Sequence, residues 1–206
     1  MVNRIPFIII LALLLSGCQF APSPPLEEAR QLGKDMGDSK KILMVIAPKD
    51  FRDEEYQEPR DILENNGYDI EVASIQTGAA TGMQGTEAEI DITTSEVDPY
   101  RYQAVVFVGG PGMKQILGDN TLEMLAENFY QANKLTTAIC IAPVILANTG
   151  LLENKKATSY EDGRESLLSN GADFLEENVV VDGNIITANG PQAATEFAQA
   201  ILSELN

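Results

Sequence analysis

Leu135-Thr136-Thr137-Ala138-Ile139-Cys140-Ile141-Ala142-Pro143-Val144-Ile145-Leu146-Ala147 divides at its middle. The first half is short, apolar and β-branched, and reads as a buried strand. The second half is apolar, with Pro143 suited to the first turn of a helix. Cys140 therefore stands at a strand-to-helix turn, where its side chain leaves the sheet and faces a helix N-terminus. Peptide N–H groups and the positive end of the helix dipole favour an anion there, so the thiol is expected below its free pKa of about 8.5. This is the setting of a nucleophile. A small buried hydrophobe is the plainer alternative for the same residue.

Working outward, the segments on either side repeat the pattern. Residues 41–47 and 104–108 are continuous apolar runs, as in parallel strands covered on both faces. Residues 48–54 read as a charged loop, residues 55–66 as a helix closed by Gly67, and residues 68–74 as the next strand. Residues 78–94, rich in Gly and Thr, read as a β-hairpin excursion. Gly109-Gly110-Pro111-Gly112 ends the strand before it, and a helix pair follows through Asn133. Beyond Gly150 come a strand at 156–159, a helix near 164–170, strands near 179–181 and 185–187, and a final helix. That helix, Gln192 to Leu205, spaces Ala194, Phe197, Ala198, Ile201, Leu202 and Leu205 along one face. Strands alternating with helices indicate α/β architecture, a three-layer sandwich with a mostly parallel sheet.

Three segments are expected. Residues 1–17 carry Arg4 and then an apolar run too short for a membrane span, which is the pattern of a signal peptide. Leu15-Ser16-Gly17-Cys18 resembles the lipobox of bacterial lipoproteins, which implies cleavage before Cys18 and acylation of its thiol. If the cell is Gram-negative, Gln19 resembles the outer-membrane sorting choice, which would place the protein on the periplasmic face of that membrane. Residues 18–39 then form a lipidated Cys and a Pro- and Gly-bearing tether, able to reach about 70 Å when extended. Residues 40–206 are one domain.

The formal charge is −17, and one unit more negative once Arg4 leaves with the leader. Such a surface repels nucleic acid and anionic lipid. There are two cysteines and no histidine. With Cys18 lipidated, Cys140 has no disulfide partner, and one Cys without His builds no usual zinc site. Gly78 to Gly85 lacks the Lys-Ser/Thr end of a phosphate loop and does not lead into a helix. No cofactor and no metal are expected.

Ala138-Ile139-Cys140-Ile141-Ala142-Pro143 resembles the cysteine elbow of the ThiJ/PfpI family, and the likeness continues in order along residues 40–206. It takes in the opening strand, Phe51 to Pro59, Val108-Gly109-Gly110, Ala157-Thr158-Ser159-Tyr160, residues 181–187 and Gly190-Pro191. The resemblance implies a flavodoxin-like α/β sandwich of the glutamine-amidotransferase-like superfamily and a weak expectation of a homodimer. It places the nucleophile at Cys140 and the acidic residue that touches its sulfur at Glu55. It gives oxyanion-binding N–H groups to Gly110 and Ile141, beside Gly109. Read alone, Glu55 is one more charge in Asp53-Glu54-Glu55, and Gly109-Gly110 is a turn after a strand. As a working residue, a protonated Glu55 would donate to a thiolate or carry the proton of a reacting carbonyl.

Two departures narrow the chemistry. Ile141 stands where the peptidase branch has a His, and Tyr160 where the deglycase-like branch has one. Without His there is no Cys-His dyad, so peptidase activity is not expected. Tyr160 is either a hydrogen-bond donor of the site or a packing residue. Three readings stay open: a lipid-anchored enzyme of small reactive carbonyls, an oxidative-stress sensor or chaperone-like protein whose Cys140 becomes a sulfinate, and a degenerate scaffolding or binding domain.

Overall fold

Strand β1 (Lys41–Val45) runs through the interior of a seven-stranded sheet, and Ile42, Leu43, Met44 and Val45 expose no surface. The computed structural model describes residues 40–206. The expected leader, the acylated Cys18 and the tether lie outside the described residues. On one side β1 pairs in parallel with β3 (Asp69–Ser74), and β3 with the two-residue β6 (Ile92–Thr93). On the other side it pairs with β7 (Ala104–Phe107), then β8 (Leu135–Ile139), then β12 (Ile185–Ala188), all parallel. Only the edge strand β11 (Val179–Asp182) runs against its neighbour, β12. The order is β11-β12-β8-β7-β1-β3-β6.

Helices cover the sheet in two groups. Helix α1 (Asp53–Asn65) lies against α6 (Ala194–Leu205), while α3 (Asn120–Gln131) packs on α4 (Pro143–Asn148), and α4 on α5 (Glu161–Ser169). In α6 the expected face is buried at Ala194, Phe197, Ala198 and Ile201, but Leu202 and Leu205 are only partly covered. Removing side chains as wholly buried as Phe197 costs about 3–5 kcal/mol, so this seam is a substantial part of the fold's stability. The α/β sandwich with a mostly parallel sheet is as the sequence indicated.

The differences lie where short elements pair over long distances. The expected charged loop at 48–54 contains β2 (Lys49–Phe51), and α1 begins at Asp53 rather than at residue 55. β2 pairs in parallel with β4 (Gly78–Gly82), which pairs antiparallel with β5 (Glu87–Ile90), so the hairpin excursion is part of a small three-stranded sheet. Buried Asp53 ties this hairpin to α1 by accepting from the Gln84 N–H at 2.8 Å and the Thr86 N–H at 2.9 Å. The strand expected at 156–159 shrinks to β9 (Lys156–Ala157), paired with β10 (Asp173–Phe174). The helix near 164 starts earlier, at Glu161.

Candidate active site

Cys140 follows β8 directly and adopts φ = +66°, a left-handed conformation that costs a non-glycine residue roughly 1–2 kcal/mol. Two hydrogen bonds hold it there. Its N–H donates to the Ala188 carbonyl at 2.8 Å, and its carbonyl accepts from the Tyr160 N–H at 2.7 Å. The end of β12 and the turn that enters α5 thus grip the elbow, and the thiol is thrown out of the sheet with 9% of the residue exposed. This is the elbow that the apolar strand and Pro143 indicated.

Three segments close around the sulfur. After β7 the chain reaches Gly109 and then Gly110, at φ = +109°, before helix α2 (Pro111–Ile116). A Cβ on Gly109 would stand 2.6 Å from the Cys140 Cβ and 2.7 Å from Glu55 Oε2, so only glycine lets the three segments meet. The N–H groups of Gly110 and Ile141 point at the sulfur and favour its anion. Glu55, in the first turn of α1, is fully buried, and its Oε2 accepts from the Gly109 N–H at 3.1 Å. Pro59 sits four residues on within α1, so the helix offers no N–H to the Glu55 carbonyl.

The carboxyl and the thiol form a single buried pair. Burial raises Glu55 to about 7, and this outweighs its hydrogen bond with Cys140, the Gly109 N–H and the charge of Arg52, which all act downward. Its Oε1 is buried and meets no hydrogen-bond partner of good geometry, although the carboxyl and thiol are close enough to shift one another. An unpartnered buried oxygen is costly as an acceptor. Carrying the proton on Oε1, with Oε2 taking the Gly109 N–H, relieves that cost and leaves the carboxyl a donor beside the thiol.

The thiol corrects the expectation drawn from the helix N-terminus. Burial first, then the charge of Glu55 and its hydrogen bond, push Cys140 above its ordinary value, against the Gly110 and Ile141 N–H groups. Helix α4 is only six residues long, so its dipole is a weak counterweight to desolvation. The pair releases its first proton near 7 and holds its second far longer. With one proton between them, thiolate beside carboxylic acid and thiol beside carboxylate differ by a proton shift along the Glu55–Cys140 contact.

The sulfur opens into a solvent-open pocket of about 980 Å³. Ile141 and Glu55 stand at its base with Cys140, and Met83, Tyr160 and Gly190 are among its walls. The structure therefore brings together Cys140, Glu55, Gly109, Gly110 and Ile141. Tyr160 is set apart at the rim, half exposed, with its backbone rather than its hydroxyl holding the elbow. Arg52 and Met83 also line the pocket and have no local signal in the sequence, because the β4–β5 turn that carries Met83 reaches the site only through β2 and Asp53.

The model of the DJ-1/PfpI family matches residues 40–204. An uncharacterized protein of Methanocaldococcus jannaschii is 41% identical over 198 residues, covering 95% of this chain and 96% of that protein. Deglycase PfpI of Pyrococcus furiosus is 29% identical over 149 residues, covering 72% of this chain and 90% of the deglycase. Among solved structures, the ThiJ/PfpI domain protein of Brachyspira murdochii superposes with a TM-score of 0.80 at 39% identity, over 82% of this chain and 97% of that one.

Proposed function

This chain belongs to the DJ-1/PfpI family, and from that premise we propose that it is a cysteine-dependent enzyme of small reactive carbonyl compounds, glyoxalase- or deglycase-like in its chemistry. The observation that carries the reading is the buried Glu55 carboxyl, held at about 7, with one oxygen unpartnered beside the Cys140 thiol. A group titrating near neutrality in contact with a nucleophile is suited to moving protons in both directions. The deglycase name borne by the Pyrococcus relative agrees with this class of substrate.

For an α-oxoaldehyde the steps balance without any added reagent. The proton of the pair resides on Glu55, and the Cys140 sulfur adds to the aldehyde carbon. A C–S bond forms, and the carbonyl π pair moves to oxygen, where the Gly110 and Ile141 N–H groups face the developing charge. Glu55 gives that oxygen its proton. The carboxylate then takes the thiohemiacetal C–H as a proton, its electron pair passing to the neighbouring carbonyl oxygen as an enediolate. The proton is returned to the neighbouring carbon while the hydroxyl proton passes to that carbon's oxygen, which leaves a thioester. Water releases a 2-hydroxy acid and the free thiol. Ile141 puts an apolar side chain where a peptidase would keep its base, so amide cleavage is not part of the proposal.

Methylglyoxal consumption by the purified domain tests the reading. Wild-type protein should form lactate, and Cys140→Ala should lose at least about 1000-fold in rate, the scale on which nucleophile removal acts. Oxidation of Cys140 to the sulfinate without turnover would replace the enzyme with the sensor reading. We further propose that the natural protein is held to the membrane by lipid on Cys18, on the strength of the lipobox-like Leu15-Ser16-Gly17-Cys18. Cys18→Ser should move it from the membrane to the soluble fraction, and an unmodified Cys18 in the intact mass of the mature protein would end that proposal.

A further inference from the structure

Arg52, Lys114 and Arg164 all line the pocket of Cys140, in a chain whose formal charge is −17. Each of the three faces a carboxylate. Lys114 Nζ lies 2.8 Å from Asp162 Oδ2, and Arg164 Nη1 lies 2.7 Å from Glu176 Oε1. Arg52 is placed differently. Its Nε and Nη2 face the Glu54 carboxylate at 2.8 and 3.2 Å, but its Nη1 donates to the Met83 sulfur at 3.3 Å. A thioether is a weak acceptor, so one edge of a planar five-donor fork is spent on a contact that a carboxylate would outbid. The same guanidinium is near enough to Glu55 for its charge to act on that carboxyl. An anion taken by Nη1 therefore lies in the same pocket as the reacting sulfur.

We propose that Arg52 is the specificity-determining residue of this pocket, and that its substrates are α-oxoaldehydes that also bear a carboxylate. The assignment rests on the Cys140–Glu55 chemistry proposed above. The carboxylate displaces the Met83 sulfur from Arg52 Nη1, and Met83, 42% exposed on its turn, has room to withdraw. The aldehyde carbon then meets the sulfur. The covalent step is the addition already written, with the C–S bond formed, the π pair on oxygen and the proton delivered by Glu55. The negative charge of the whole domain does not forbid an anionic ligand, because surface charges beyond about 8 Å are screened at physiological salt while the guanidinium acts at contact.

Two measurements decide the matter separately from turnover. The first is the ratio of Cys140 alkylation rates by iodoacetate and iodoacetamide at pH 7, which divides out any change in the thiol itself. Wild-type protein should favour the anionic reagent. The ratio should fall about tenfold in Arg52→Gln, the value of one charge-assisted hydrogen bond, and be kept in part by Arg52→Lys. A ratio unchanged by Arg52→Gln would overturn the assignment. The second is the melting temperature of Cys140→Ala protein with oxamate, an unreactive carboxylate next to a carbonyl. A saturable rise, absent with acetamide and lost in the Arg52→Gln/Cys140→Ala double variant, is expected. If Cys140 resists both alkylating reagents, the enzymatic reading fails, and oxamate alone then decides whether the pocket selects a carboxylate: no shift overturns it.

Discussion

Asp53 and Glu55 leave the same turn of α1 toward different walls of the molecule, one toward the β4–β5 turn and the other toward the Cys140 elbow. Both are buried, and burial raises both. For Asp53 the N–H groups of Gln84 and Thr86, with the Thr86 side chain, more than cancel it and hold the carboxyl below its ordinary range. For Glu55 a single peptide N–H, the thiol and the charge of Arg52 do not, and it rises to about 7. The difference teaches that the depth at which a carboxyl is buried and the donors it meets there together decide whether it suits a fixed anchor or a proton carrier. On one turn, the anchor fixes the pocket wall and, in the proposed reaction, the carrier moves the proton.

The sharpest way to break this contrast is Glu55→Gln. Turnover should fall by about 10²–10⁴, the range for a positioned acid–base group, while the Cys140 thiol should still be alkylated. Retained methylglyoxal turnover would show that Glu55 carries no proton. The same variant tests the stability side. A carboxyl raised from 4.5 to about 7 in the folded state binds its proton more tightly than the unfolded chain does. Its contribution is therefore complete below about pH 4.5, declines as pH rises through 7, and is absent above it. At 1.36 kcal/mol per pKa unit the loss is on the order of 3 kcal/mol. Denaturant unfolding of the wild type should show this decline between pH 5 and 8, and Glu55→Gln should flatten it.

Asp53→Asn tests the anchor with a smaller effect. It removes a charge from two peptide donors and should cost about 1–3 kcal/mol at pH 7. The sign with pH is opposite: Asp53 stabilises above its unfolded pKa near 3.9, and the gain is lost as pH falls through its lowered folded value. A stability profile in which Asp53→Asn matters more at pH 3 than at pH 7 would invert the comparison. The smallest change expected is Tyr160→Phe. A half-exposed ring that holds the elbow only through its backbone N–H should alter turnover by no more than a few-fold, and a loss beyond about 100-fold would place its hydroxyl in the chemistry.

The legible parts of this molecule are those whose cause is local. The elbow at Cys140 could be read because an apolar β-branched run meets Pro143 within a few residues, whereas Gly109-Gly110 read alone is a turn after a strand, and its approach to the sulfur was indicated only by family likeness. The parallel core strands announce themselves by being apolar on both faces. β2 could not be read: three residues, two of them charged, become a strand only because Gly78–Gly82 comes alongside. β10 is hidden for the same reason, whereas β9 is read from the sequence but two residues too long. Glu55 became visible through family likeness, since within Asp53-Glu54-Glu55 nothing local separates the proton carrier from its neighbours. The direction of the thiol shift was misread because a helix N-terminus is written in the sequence, whereas desolvation is imposed by walls drawn from distant segments.

Gly112 on α2 has a consequence for motion. A Cβ there would fall 1.7 Å from the Lys49 carbonyl oxygen, and one on Gly110 would fall 2.5 Å from the Arg52 nitrogen. The helix that begins at the proposed oxyanion donor is thus seated backbone-to-backbone on the strand that feeds α1, with no side chain between them to act as a spring. Donor, proton carrier and elbow move as one rigid block, and thermal breathing of the pocket is left to the Met83 turn and the Tyr160 rim. Amide hydrogens at Gly110 and Glu55 should exchange together and slowly, while the pocket's mouth opens around them.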